Sequence, residues 1–191
     1  GPDEPCDLLW SSNPCQPFSA AGRGRGAADE RDGFPWMLRI LGATMPRVLV
    51  CENVPLVAAA KHAGYLSGVI GSIRDLGYQV EWRILNAADY GVPQTRRRWF
   101  LVARLDGPPC WPYPTHRKNP GMFGELPWVS MADALGWDQG DRLAPIRGAG
   151  MIERHGPRFG AYADQPSPTI TAPRRIQRVR TNNVTSTTGD Y

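Results

Sequence analysis

The chain of 191 residues has three histidines, His62, His116 and His155, and four cysteines, Cys6, Cys15, Cys51 and Cys110, with no pair at CxxC spacing. That scatter argues against a zinc site, and no metal is expected. Two of the cysteines sit in or beside apolar runs, which suits reduced thiols better than a disulfide framework. No apolar run approaches the roughly 20 residues that a membrane helix needs. The N-terminus carries no signal-peptide pattern, so a cytoplasmic setting away from membranes is expected. An initiator methionine is also missing: the chain opens on Gly1-Pro2-Asp3 and reads as processed or as a piece of a longer one. There is no internal repeat.

What the chain does have is arginine. The net charge is a modest +4, but its carriers cluster at Arg23 and Arg25, at Arg96-Arg97-Arg98, and from Arg174 to Arg180. Arginine suits bidentate phosphate and guanine contacts, so this clustering favours a nucleic-acid partner over a solvated face. A hydrophobic content of 41% and charged residues at 21% are those of an ordinary folded domain.

Periodicity then orders the first half. Cys6 to Ser11 reads as a short buried strand, Phe34 to Ala43 as a helix, and Arg47 to Cys51 as a central strand stopping at Glu52-Asn53. Tyr65 to Leu76 places Leu66, Val69, Ile70, Ile73 and Leu76 on one helical face, with Gly77 as the stop. Tyr78 to Leu85 alternates, and Arg98 to Ala103 is a further apolar strand. Alternating strands and helices argue an α/β layer with a parallel sheet. Beyond about residue 104 the chain is rich in proline, glycine and aromatics, and only Ser130 to Leu135 resembles a helix start. The expected organisation is an α/β portion over 1–104 and a loop-rich appendage over 105–191.

In such sheets ligands bind beyond the carboxyl ends of the strands. The first strand runs into Asn13-Pro14-Cys15-Gln16 and the second into Glu52-Asn53-Val54, so a thiol and a carboxylate can share one pocket. Taken singly, Cys15 reads first as a packed loop cysteine, and Glu52 reads as well as a solvated strand-end acid.

Three motifs change that balance. Pro14-Cys15-Gln16-Pro17-Phe18-Ser19, followed by Gly22 and Arg31, resembles the nucleophile motif of the DNA cytosine-5 methyltransferases. Glu52-Asn53-Val54 resembles that family's second catalytic motif, and Asn86 to Arg98, containing Gln94-Thr95-Arg96-Arg97-Arg98, its Gln-x-Arg-x-Arg motif. The resemblance covers about residues 5 to 104 and is looser beyond. There, Asp164 to Thr171 is similar to a segment near the target-recognition region of bacterial members, and Arg174, Arg175, Arg178 and Arg180 after it read as DNA-facing or as a basic solvated tail. One departure is visible: the family usually has Arg-Gly after the loop, where this chain has Arg31-Asp32-Gly33.

The resemblance implies a partial Rossmann-like methyltransferase sheet whose last two strands form an antiparallel pair. It implies S-adenosylmethionine as methyl donor, double-stranded DNA as substrate, and methylation at C5 of a flipped cytosine through a covalent Cys–C6 adduct. Cys15 would be the nucleophile, with Glu52 acting at N3 and Arg98, together with Arg96, meeting charge that develops at O2. Asn53 and Gln94 would be supporting hydrogen-bonders, and Asn13 and Pro14 would border the donor. Gln16, Ser19, Arg23, Arg25 and Arg97 would meet DNA, the glycine–arginine stretch after Cys15 acting as a loop over the flipped base.

The family's glycine-rich Phe-x-Gly-x-Gly turn, the acid after its second strand and its closing Gln-x-Gly-Asn segment are not found in the chain. Three readings follow. One is a fragment of a bacterial or phage methyltransferase, acting in the cytoplasm. Another is a partial subunit needing a complementary polypeptide for the donor half, and the last a catalytically inactive remnant that binds nucleic acid. A transfer-RNA substrate stays open because a family relative methylates tRNA. An unrelated cysteine hydrolase is disfavoured because no histidine lies near a matching motif. An incomplete sheet would leave an exposed edge and a chain prone to aggregate.

Overall fold

In the computed structural model, residues 6–19, 26–121, 124–145, 161–169 and 176–179 are described. The elements of the first half are β1 (Leu8–Ser12), α1 (Phe34–Thr44), β2 (Val48–Asn53), α2 (Ala63–Asp75), β3 (Gln79–Asn86), β4 (Gln94–Thr95) and β5 (Arg97–Arg104). There follow β6 (His116–Arg117), β7 (Leu126–Pro127), α3 (Met131–Leu135), β8 (Arg142–Pro145), β9 (Ala161–Tyr162), β10 (Ser167–Pro168) and β11 (Ile176–Val179). The chain divides into two compact units, Gly1–Leu85 with Arg97–Pro112, and Asn86–Arg96 with Tyr113–Tyr191. No described helix is long and apolar enough to cross a membrane.

The first unit is α/β, built on a four-stranded sheet in the order β1-β2-β5-β3. β1 pairs with β2 in parallel, Leu8 opposite Val48 and Ser12 opposite Glu52. β5 runs antiparallel to β2, so the layer is mixed where the alternating pattern had suggested a parallel one. Strands alternate their side chains between two faces. Leu49 and Cys51 of β2 and Trp99, Leu101 and Ala103 of β5 are fully buried. Both helices supply the same core, α1 through Phe34, Met37 and Leu41 and α2 through Leu66, Val69 and Ile73. The helical spacing in the sequence therefore marks the packed faces correctly. Gly77, at φ 93°, ends α2 in a backbone conformation that other residues adopt only with strain.

One expectation needs correction. The first strand is not buried: Leu8 is 52% exposed and Trp10 57%. β1 is an edge strand, and the helices α1 and α2 join the core on the other face, where Leu9 packs. An apolar strand at an edge, covered on one face, has an alternating pattern that its composition alone hides.

In the second unit α3 begins with a capping box, in which Asp133 N–H donates to Ser130 Oγ at 3.0 Å and Ser130 N–H donates back to Asp133. Met131, Ala132 and Ala163 form a small buried cluster with Trp137 against it. β8 pairs antiparallel with both β9 and β11.

Candidate active site

Strand register brings Glu52 and Arg98 of the first unit together, with Ser12 beside them. Ser12 and Glu52 are direct partners across the parallel pair, and the Ser12 hydroxyl donates to Glu52 Oε2 at 3.2 Å. On the other side Glu52 stands opposite Phe100 of β5. Arg98 lies two residues along on the same face, which is the diagonal position of an antiparallel pair. Its Nε meets Glu52 Oε1 at 2.8 Å, the two side chains being only 20% and 21% exposed. The Glu52 carboxylate thus has a hydroxyl on one oxygen and a guanidinium on the other. It is a held acid at a strand end, not one drifting in solvent.

Cys15 follows Ser12 by three residues, in the turn that leaves the sheet, and is partly buried. The turn is closed by Phe18 N–H donating to the Cys15 carbonyl at 3.0 Å. Phe18 is 1% exposed and anchors the turn, its ring meeting Phe34, His62 and Tyr65. The other thiol on these strands, Cys51, is fully buried in the core. Burial pushes it up to about 12, with the Glu52 charge adding to the rise and a hydrogen bond to Ser11 opposing it. Cys51 is therefore enclosed and held as a thiol, whereas Cys15 is partly exposed.

Asn13 accepts from Ser11 Oγ at 2.8 Å and directs its amide toward Cys51 Sγ at 3.7 Å. Gly33 packs directly on it: a Cβ there would lie 2.8 Å from Asn13 Oδ1 and 3.1 Å from Pro14 Cδ. Asn13 and Pro14 are thus pinned by the return of the chain at the start of α1. Asn53 is 1% exposed, and its Oδ1 accepts from Val54 N–H at 2.8 Å. Gln16 is exposed, Ser19 half-buried and Arg97 exposed. Arg23 and Arg25 lie outside the described residues, as do Arg174, Arg175 and Arg180; Arg178 falls in β11.

Gln94 and Arg96 belong to the second unit, while Arg97 and Arg98 belong to the first. Within the second unit β4 pairs in parallel with β10, Gln94 opposite Ser167 and Thr95 opposite Pro168. Thr169 Oγ1 donates to the Thr95 carbonyl at 2.9 Å, and Ser167 N–H to the Pro93 carbonyl at 2.8 Å. Two motifs about seventy positions apart are thus one structural element, a pairing that local patterns cannot reveal.

The segment Arg31-Asp32-Gly33, which departs from the family pattern, also acquires a physical account. The Arg31 guanidinium donates two hydrogen bonds to Asp29, at 2.8 and 2.7 Å, and the Arg31 N–H a third at 3.1 Å. Asp32, 8% exposed, accepts the first N–H of α1 from Phe34 at 3.1 Å and takes the Tyr65 hydroxyl on its other oxygen. Each of the three residues has a separate task. The sequence pattern assigns no role to Ser12 or Tyr65 and marks Asp32 and Gly33 only as a departure from the family motif. Ser12 becomes visible once β1 and β2 are aligned at their polar ends, and an acid two residues before an apolar helix is a start signal.

The profile of the family described as C-5 cytosine-specific DNA methylase matches residues 2–122. The Type II methyltransferase M.NaeI of Lentzea aerocolonigenes is 43% identical over 140 residues, which is 72% of this chain and 33% of that protein. M.NgoMIV of Neisseria gonorrhoeae, also a Type II methyltransferase, is 38% identical over 130 residues, 66% of this chain and 41% of its own length. A solved methyltransferase of Entamoeba histolytica is 21% identical with a TM-score of 0.47, over 70% of this chain and 39% of that one. The chain spans well under half the length of these relatives.

Proposed function

The chain belongs to the C-5 cytosine-specific DNA methylases, and on that footing we propose that it carries the catalytic centre of a DNA cytosine-5 methyltransferase of restriction–modification type. Residues 1–104 would form the catalytic portion and 105–191 the start of the target-recognition region. The single observation that supports this most is the Glu52 carboxylate, held by Arg98 and Ser12 at the strand end beside the turn of Cys15.

The chemistry explains why these side chains are needed. C5 of cytosine is too electron-poor to accept a methyl group directly. The Cys15 thiolate adds to C6, the C5–C6 π electrons move toward C4 and N3, and the ring becomes an enamine that is nucleophilic at C5. Glu52, paired with Arg98 in the free site, passes a solvent-derived proton to N3 as charge arrives there. Arg98 meets the charge at O2, a role that the family resemblance also offers to Arg96. Once C5 carries the methyl group, the N3 proton returns to Glu52, a solvent water takes the C5 proton, and the C5–C6 double bond re-forms as the Cys15 thiolate departs from C6. Cysteine suits both halves of this cycle because its thiolate attacks readily and leaves readily.

A target carbon inside a stacked duplex must be turned out to be reached. In this proposal Gln16, Ser19, Arg23, Arg25 and Arg97 meet DNA, largely at the backbone, while Asn53 and Gln94 support the strand ends. In this reading Asn13 and Pro14 would border S-adenosylmethionine on one side. The Asn13 side chain is engaged by Ser11 and Cys51, so Asn13 would face a donor chiefly through its backbone, while the exposed Pro14 ring would border it. S-adenosylmethionine would in this reading supply the methyl group to C5. A complementary polypeptide is not required by anything in these contacts.

The deciding experiment uses a pool of random duplexes carrying 2-pyrimidinone in place of cytosine, a base whose C6 adds a thiolate without any methyl donor. The wild-type chain is expected to form a denaturation-resistant adduct, mapped by mass spectrometry to Cys15 and absent from Cys15→Ala. An adduct that persists in Cys15→Ala sinks the mechanism. Retention of DNA with no adduct at all marks an inactive binding protein.

A further inference from the structure

Tyr65 lies outside every motif above, in the first turn of α2, yet it touches both arms of the chain segment that leaves Cys15 and returns at α1. On the outgoing arm its ring stacks on Phe18, with centroids 6.1 Å apart and planes 15° from parallel. Phe18 is the residue whose N–H closes the turn on the Cys15 carbonyl. On the returning arm the Tyr65 hydroxyl donates to Asp32 Oδ2, and its ring meets Phe34 edge-on at 6.1 Å. The arms are joined once more by Gly26 N–H donating to the Pro17 carbonyl at 3.0 Å.

The energetics favour a link that resists being opened. A buried carboxylate needs partners for its oxygens, and Asp32 has one on each: the Phe34 N–H on Oδ1 and the Tyr65 hydroxyl on Oδ2. Removing the hydroxyl leaves Oδ2 without the donor that balances its burial. The ring is equally committed, since Phe18 and Phe34 are both buried in the main core. The tyrosine hydroxyl is held protonated by burial and by its bond to Asp32, so it acts as a fixed donor across the working pH range.

We propose that Tyr65 is a positioning residue for Cys15: its ring seats the turn that presents the thiol, and its hydroxyl ties the returning arm to the same helix. The assignment rests on the proposed function for its purpose, since a nucleophile must stand within a few tenths of an ångström of its productive position. It rests on geometry alone for the coupling itself.

The test uses the whole chain and two conservative variants. Tyr65→Phe keeps the ring and deletes the hydroxyl; Asp32→Asn keeps an oxygen acceptor for the Phe34 N–H and weakens the same link from its other end. Three quantities are measured: the iodoacetamide alkylation rate of Cys15 relative to exposed Cys110, the rate of adduct formation on the pyrimidinone duplex at saturating DNA, and the DNA concentration that half-saturates it. For Tyr65→Phe the Cys15 to Cys110 ratio is expected to change by about threefold or more. The saturated adduct rate should fall about tenfold with little change in the half-saturating concentration. A ratio unchanged in the folded variant overturns the proposal, whether or not the melting temperature drops. Should Tyr65→Phe fail to fold, Asp32→Asn is read by the same criteria. If the wild-type chain forms no adduct, the proposed function fails, and the alkylation ratio still decides what Tyr65 does.

Discussion

The guanidinium of Arg98 reaches the carboxylate of Glu52 at 2.8 Å although the two residues are not opposite one another in the sheet. Glu52 faces Phe100, and Arg98 arrives along the diagonal from the next position on the same face. Trp10 of β1 reaches the same Phe100, with ring centroids 6.4 Å apart. The ion pair is therefore flanked by apolar rings, and its two partners are about four-fifths covered. Coulomb attraction is stronger there than on an open surface.

A double-mutant cycle should measure that pair. Glu52→Gln and Arg98→Lys are each expected to lower stability in urea, with a coupling energy of about 1 kcal/mol, discounted for the exposure that remains. Lysine is not an equivalent replacement, because it lacks the planar fork that fixes the carboxylate. Additive losses would mean that the two side chains do not interact in solution.

Cys15→Ser should abolish adduct formation on pyrimidinone duplexes by about four orders of magnitude or more, since an alcohol is a far weaker nucleophile than a thiolate. Melting temperature should barely move. Adduct yields close to wild type would remove Cys15 from the mechanism.

Thiol chemistry should separate the two cysteines of the catalytic region. At pH 8 iodoacetamide is expected to modify Cys15 and the exposed Cys110 in the native protein while leaving Cys51 intact. Cys51 is pushed up to about 12, chiefly by burial, and has neither the thiolate nor the access. Peptide mapping after timed alkylation gives the result; early labelling of Cys51 would contradict its place in the core.

His62 should make the fold sensitive to acid. It is 6% exposed, its Nε2 has no hydrogen-bond partner among the described residues, and its ring meets that of Phe18. Burial, reinforced by Lys61, lowers its pKa below the ordinary 6.5. The unfolded chain thus binds this proton more readily than the folded one. The stability contribution is complete above pH 6.5 and is lost as pH falls below it toward the lowered value. Urea titrations at pH 7.5 and 5.5 should show a larger loss for wild type than for His62→Gln; equal losses would assign the acid sensitivity elsewhere.

Gly33→Ala should destabilise the chain by about 1–3 kcal/mol, because the new methyl meets Asn13 and Pro14 at distances that force one of them to move. The same displacement should slow adduct formation by Cys15, two residues from Asn13. A variant of unchanged stability and rate would show that this contact gives way easily.

Much of the first unit can be read directly from residue order. The runs at Arg47 to Cys51 and Arg98 to Ala103 and the spaced apolar residues of Tyr65 to Leu76 are local patterns of period two and 3.6, and short-range sterics and burial suffice to turn them into β2, β5 and α2. Cys15, Glu52 and Arg98 are proposed on a different ground, the strings of neighbours that resemble a family's motifs, with Glu52 and Arg98 also bounding such runs. The exposure of Trp10 could not be read this way, because whether an apolar strand is covered depends on where it stands in the sheet and on which face the helices pack. The Ser12 bond to Glu52, the pairing of Gln94 and Thr95 with Ser167 and Pro168, and the tyrosine that holds both arms of the Cys15 segment all join residues distant in the chain. Register and packing bring such partners together, and those are set by the folded chain as a whole, not by any stretch of neighbours.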